Sequence, residues 1–196
     1  SSAASDVYKR QGTRMVNWDT ALMSAVSDLE VTLSSEKGKL WNIQYKTDDS
    51  YLTISTTRPE TLLGDSAVAV NPNDERYANL IGKTAVIPLV NREVPIIGDE
   101  YVDPEFGAGC VKITPSHDFN DYEIGKRHNL EIINIINKDG TYNENAQLIQ
   151  GLKSTEARKK TVELLEQENL LVKVEDHVQQ VGHSQRSGEV VEPMVS

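Results

Sequence analysis

Two alternating runs, each closed by a polar cluster and a proline, set most of what this chain can become. Tyr51-Leu52-Thr53-Ile54-Ser55 and Gly109-Cys110-Val111-Lys112-Ile113 carry apolar side chains at every second position, the period of a strand with one buried face. Thr56-Thr57-Arg58-Pro59-Glu60-Thr61 follows the first run, and Thr114-Pro115-Ser116-His117-Asp118 follows the second. Proline has no N–H to give a ladder, so Pro59 and Pro115 end these strands. Each strand therefore delivers hydroxyls and charges at its exit, where folds usually carry function.

The rest of the chain repeats the pattern of short strands. Lys39 to Thr47 alternates and pairs with Tyr51–Thr56 across the turn Asp48-Asp49-Ser50, as a hairpin does. Asp65 to Val70 reads as a strand. Thr84 to Val90 and Glu93 to Ile97 flank a two-residue turn at Asn91-Arg92. Ile132 to Asn137, Leu170 to Val174 and Val190-Val191 read as further strands. Helical spacing is confined to Asp118–Asn129, capped by Ser116 or Asp118, and Thr155–Asn169, with an apolar stripe of Ala157, Val162, Leu164 and Leu165. Short helical turns are expected at Thr20–Val26 and Glu75–Leu80. Many short strands with few helices predict a mainly β fold, a β-barrel core carrying peripheral helices.

A chain of 196 residues can bury one good-sized core. No apolar run reaches the length of a membrane span, and no charged start leads into an apolar stretch as in a signal peptide. Cys110 is the only cysteine, which excludes an internal disulfide and a cysteine-cluster zinc site and suits a reducing, cytoplasmic setting. The net charge of -10 is the wrong sign for holding nucleic acid by bulk electrostatics. Any contact with a nucleic acid would be small. Residues 1–11 have no periodicity and read like a translated sequencing adapter; they are taken as a non-native tail, a natural disordered tail being the alternative.

Each polar residue has a plain reading beside a functional one. Asp118 and Asp121 lie three apart at a helix start, on one face. Capping is the simpler account, since acids there favour the helix dipole; two carboxylates so placed can also bind an ammonium group. Arg58 is a strand-end surface residue or a donor to phosphate or ribose oxygens. Lys112 points to water or into a pocket mouth. His117 lacks a second ligand at metal spacing, and His128, His177 and His183 are scattered, so no metal site is expected. Cys110 reads as a small core residue.

The run Thr56-Thr57-Arg58-Pro59-Glu60-Thr61-Leu62-Leu63-Gly64-Asp65, with His117-Asp118 and Asp121-Tyr122-Glu123-Ile124-Gly125 downstream, resembles the editing insertion of valyl-tRNA synthetase. The resemblance covers Gly12 to Ser196. It implies a barrel-type editing domain at 35–180, a connector from a catalytic body at 12–34 and a return connector at 181–196. It also implies hydrolysis of threonine esterified to tRNA(Val), because a hydrophobic synthetic pocket rejects an isostere with an added hydroxyl poorly. The expected partners are the 3′ end of mischarged tRNA(Val) and the remainder of the synthetase in cis, with no membrane. ATP and magnesium would belong to the catalytic body, leaving this piece without a cofactor. By the same resemblance Asp118, Lys112 and Arg58 are the catalytic set, with Thr56, Thr57, Thr61, Thr114, His117 and Asp121 binding substrate. Asp118 would anchor the α-ammonium, while Arg58 and Lys112 would hold the terminal adenosine and offset the oxyanion. Where some members of the family carry zinc-binding cysteines, this chain has Ser184 and Ser187, so no zinc is expected. The alternatives are a non-catalytic tRNA-end or protein-binding module, a free-standing hydrolase, and the editing domain of an isoleucyl or leucyl enzyme.

Overall fold

The computed structural model describes residues 14–196; the tail expected at 1–11 lies outside the described residues. In chain order the strands are β1 (Met15–Asp19), β2 (Ser24–Val26), β3 (Val31–Lys46), β4 (Tyr51–Thr56), β5 (Ala67–Val70), β6 (Thr84–Ile87), β7 (Arg92–Gly98) and β8 (Cys110–Ile113). Helices α1 (Phe119–His128) and α2 (Ser154–Gln167) follow, then β9 (Leu171–Ser184) and β10 (Glu192–Val195). The main sheet runs β4-β3-β6-β7-β5-β8, with β9 also on β3. Among the described residues only β5 and β7 pair in parallel. The two ends of the path, β4 and β8, come to lie against each other. Among the described residues no ladder joins them, so the sheet curls into an open half-barrel. A second sheet, β10-β1-β2, stands beside it.

The core follows from the alternation. Ile43 and Tyr45 of β3, Ile54 of β4, Val68 of β5, Ile87 of β6 and Ile96 of β7 are almost fully enclosed. The residues between them on β3 and β7 stay wetter, as a half-buried strand requires. Helix α2 closes one side with Ala157, Thr161 and Leu165, a strict four-residue spacing. Val162 and Leu164 are only half-buried. Thr161 joins the buried face by donating its hydroxyl to the Ala157 carbonyl, 2.8 Å away. Among the described residues no helix is long and apolar enough to cross a membrane.

Several expectations need correction. Residues 20–23 form a turn leading into β2, not a helix, because Asp19 takes the backbone N–H groups of Ala21 and Leu22 at 3.0 Å each. Helix at 75–80 shrinks to one 3-10 turn, Ala78–Leu80. The β6–β7 connection spans four residues, since Ile87 pairs directly with Arg92. Leu89 and Asn91 both sit at positive φ there. Residues 132–135 form no strand. Their backbone groups are claimed by side chains instead: Ser116 donates to the Ile133 carbonyl, Asn143 and Asn145 donate to the Asn134 carbonyl, and His117 accepts the Ile135 N–H. The strands expected at 39–47 and 170–174 are parts of β3 and β9, which pair from Val31↔Ser184 to Ile43↔Leu171. These strands run unbroken across residues 34/35 and 180/181.

Candidate functional site

β4 and β8 leave the half-barrel side by side, and their exits enclose a cavity of about 150 Å³. All of Thr56, Thr57, Arg58, Thr61, Lys112, Thr114, His117, Asp118 and Asp121 line it. Ser55 and Phe106 complete the wall; neither was singled out in the sequence. Phe106 arrives on the loop between β7 and β8, which the sequence marks only by its Gly107-Ala108-Gly109 hinge. Gly107, at φ +54°, packs so tightly on Ser55 that a Cβ there would fall 2.3 Å from the Ser55 Oγ. The Ser55 hydroxyl also accepts the Ala108 N–H at 2.9 Å and donates to Asn42 Oδ1 at 2.6 Å. The loop, and Phe106 with it, is thereby fastened to the strand below.

One wall is built from the second polar stretch. Lys112 is 7% exposed and points inward, its Nζ 2.6 Å from Asp65 Oδ1. It also donates to the Thr114 hydroxyl, which itself donates to the same carboxylate oxygen at 2.8 Å. Tyr45 donates to the other oxygen of Asp65 at 2.6 Å. Burial raises the Asp65 pKa, and Lys112 works against that rise. Asp118 caps α1: its Oδ1 accepts the Asp121 N–H at 2.9 Å. Asp121 Oδ2 accepts the Thr114 N–H at 2.9 Å. The second oxygen of each carboxylate has no protein partner among the described residues. Desolvation, then the neighbouring Asp118 charge, pushes the Asp121 pKa up to about 8. Asp121 therefore favours its protonated form near neutrality, as burial beside a second carboxylate promotes.

The opposite wall is built from the first stretch, and its charges are matched. Arg58 donates to Glu192 Oε1 at 2.6 Å and to the His117 carbonyl at 3.0 Å, and lies 3.8 Å from Glu60. Glu60 is fully enclosed and receives two bonds of 2.9 Å from Arg158 of α2. Thr56 and Thr61 shape the turn: the Thr56 hydroxyl accepts the Arg58 N–H, and the Thr61 hydroxyl donates to the Arg58 carbonyl, each at 3.0 Å. The half-buried Thr57 hydroxyl has no protein partner among the described residues.

His117 differs from its expected role. Its Nδ1 lies 3.1 Å from the Pro193 carbonyl and its Nε2 accepts the Ile135 N–H at 3.0 Å. Nδ1 must then carry the proton and donate it. Burial, with Arg58 adding to it, lowers the His117 pKa to about 3. Both ring nitrogens are spent on the protein, so the ring holds the wall and offers nothing free to a ligand. Away from the pocket, Ser187 donates to the enclosed Asp19 at 2.7 Å, and Ser184 lies beside them. Cys110 is enclosed, and burial raises its thiol pKa to about 12.

The family model described as "Leucyl-tRNA synthetase, editing domain" matches residues 73–179. Valine--tRNA ligase of Bacillus subtilis is 55% identical over 188 residues, covering 95% of this chain and 21% of that protein. Valine--tRNA ligase of Bdellovibrio bacteriovorus is 56% identical over the same length and shares. The chain thus spans about a fifth of the length of the curated relatives it matches. Among solved structures, LeuRS of Agrobacterium radiobacter K84, in a ternary complex with tRNA and LeuAMS, aligns with a TM-score of 0.54 and 20% identity, over 91% of this chain and 23% of that one. At that identity the likeness speaks for the fold alone.

Proposed function

The chain belongs to the leucyl-tRNA synthetase editing-domain family, and on that premise we propose that it is the proofreading domain of a valine--tRNA ligase, hydrolysing threonine mistakenly esterified to tRNA(Val). The observation that carries this reading is the pair Asp118 and Asp121, two carboxylates each with an unclaimed oxygen in one small polar cavity. An aminoacyl ester presents an ammonium beside its reacting carbonyl, and this pair suits an ammonium. Binding it would draw the proton off Asp121 and offset the repulsion between the two carboxylates with charge-assisted hydrogen bonds.

The reaction is attack of water on the ester carbonyl. The water loses a proton, the carbonyl oxygen becomes an oxyanion, and the ribose oxygen leaves as the C–O bond breaks and takes up a proton. Lys112 and Arg58 supply positive charge near the oxyanion and the terminal adenosine, pre-positioned by Asp65 and Glu192. Thr56, Thr57, Thr61 and Thr114 surround the threonyl group with hydroxyls. His117 holds the wall. Residues 12–34 and 181–196 would connect this domain to the rest of a cytoplasmic synthetase, which supplies most of the grip on tRNA that the acidic charge here does not.

Mixing the chain at micromolar concentration with threonyl-tRNA(Val) should release threonine above the spontaneous rate. Asp118→Ala should slow that release roughly ten- to a hundredfold, at a cost to the fold of about 1 kcal/mol from the lost cap. Asparagine caps as well as aspartate but carries no charge. Release at the wild-type rate by Asp118→Asn would reduce Asp118 to a cap and leave Asp121 as the ammonium site.

A further inference from the structure

Arg58 does not owe its position to its own strand. Its outer nitrogen is held 2.6 Å from Glu192 Oε1, across 134 residues of chain. Glu192 is 7% exposed and belongs to β10, in the small sheet rather than the half-barrel. The next residue of β10 takes hold of the other polar stretch, since the Pro193 carbonyl accepts the His117 Nδ1 proton. The His117 carbonyl in turn accepts from Arg58 at 3.0 Å. Glu192 and Pro193 stand opposite Trp18 and Asn17 of β1, so both contacts move with the small sheet.

We propose that Glu192 is a positioning residue: it sets where the Arg58 guanidinium stands in the pocket and makes that position depend on the small sheet. The inference rests on the reading of the cavity as an editing site. The other groups around the guanidinium do not replace Glu192. Glu60 lies at 3.8 Å and gives its two strong bonds to Arg158, and the Tyr142 hydroxyl makes no hydrogen bond among the described residues. Removing the Glu192 charge leaves Arg58 with the His117 carbonyl and a distant, shared carboxylate.

A double-mutant cycle on the chain separates positioning from general support. Glu192→Gln should lower kcat/KM for threonyl-tRNA(Val) hydrolysis roughly tenfold, the worth of one charge-assisted hydrogen bond. Arg58→Ala should lower it at least as far, and the double variant should be no slower than Arg58→Ala alone. A wild-type rate for Glu192→Gln, or losses that simply multiply in the double variant, would overturn the proposal. If the wild-type chain releases no threonine, the editing reading fails, and the positioning claim is decided by NMR of the Arg58 guanidinium. Slow exchange of its outer N–H groups in the wild type should be lost in Glu192→Gln; unchanged exchange overturns the claim. Should that variant not fold, Glu192→Asp keeps the charge but withdraws it by one methylene, and is read the same way.

Discussion

The two walls of the pocket treat charge in opposite ways. Around Arg58 every charge has an answer: Arg58 meets Glu192, and Arg158 meets Glu60 on both oxygens. Around Asp121 two carboxylates share a helix start, and the nearest cation, Lys112, is already bound to Asp65. The first wall is charge-balanced without a ligand, which fixes its cation in place in advance. The second is left electrostatically unfinished, and a cation would finish it. Paired, buried charges alone say little about function, whereas a perturbed carboxylate in a cavity, with an oxygen unclaimed, is a much stronger pointer.

The largest test of this contrast is Asp121→Asn. Hydrolysis of threonyl-tRNA(Val) should fall on the order of a hundredfold, the upper worth of a charged hydrogen bond. The fold should behave differently. The Asp121 pKa stands at about 8 against an ordinary 3.8, so the folded chain holds more protons than the unfolded one between those values. Wild-type stability therefore falls as pH rises through that window. Asparagine is neutral throughout, so the variant should lack this fall and melt no lower than wild type at pH 8. A variant that is active, or markedly less stable at pH 8, would erase the distinction between the walls.

Glu60→Ala probes the finished wall. It strands Arg158 and weakens the hold on Arg58. Because Arg158 keeps 35% of its side chain in water, the cost should fall below that of a fully buried pair, at about 2 kcal/mol. Denaturant melting measures it, and a loss under about 0.5 kcal/mol, the usual size of a surface change, would show that the pairing is ornamental. Tyr142→Phe should do least. The hydroxyl is buried with no partner among the described residues, so its removal should leave stability within about 0.5 kcal/mol of wild type or slightly raise it. A larger loss would mean that the hydroxyl has a partner after all.

What the sequence made legible was what local chemistry dictates. Alternation and a terminating proline placed Thr56, Arg58, Lys112 and Thr114 at strand exits, and the Asp118 cap followed from spacing. The partners that decide what these residues do were not legible. Glu192 and Arg158 lie 134 and 98 residues from Arg58 and Glu60, respectively, in the chain. Ser55 read as an ordinary strand residue and Phe106 as part of a loop; the packing of Gly107 on Ser55 and the Ala108 N–H bond to it bring the loop to the cavity. The strand expected at 132–137 failed for a related reason. Its β-branched isoleucines suit a strand, but Ser116 and His117 occupy backbone groups of Ile133 and Ile135 that a neighbouring strand would need.

The long pairing of β3 with β9 has a mechanical consequence. From Val31↔Ser184 to Ile43↔Leu171 the ribbon is roughly 40 Å long at the usual rise per residue. Its backbone bonds resist stretching, so it acts as a strut between the half-barrel and the region where the Glu30 carbonyl accepts the Gln185 N–H. A two-stranded ribbon is far softer in torsion than in extension, because twist is already built into it. The register shifts between Asn42 and Ile43, and such an irregularity concentrates twist. Asn42 is also the residue that accepts the Ser55 hydroxyl. At that point β3 also pairs with β4, so the two-stranded part of this torsion bar joins the wider sheet one hydrogen bond from the pocket lining.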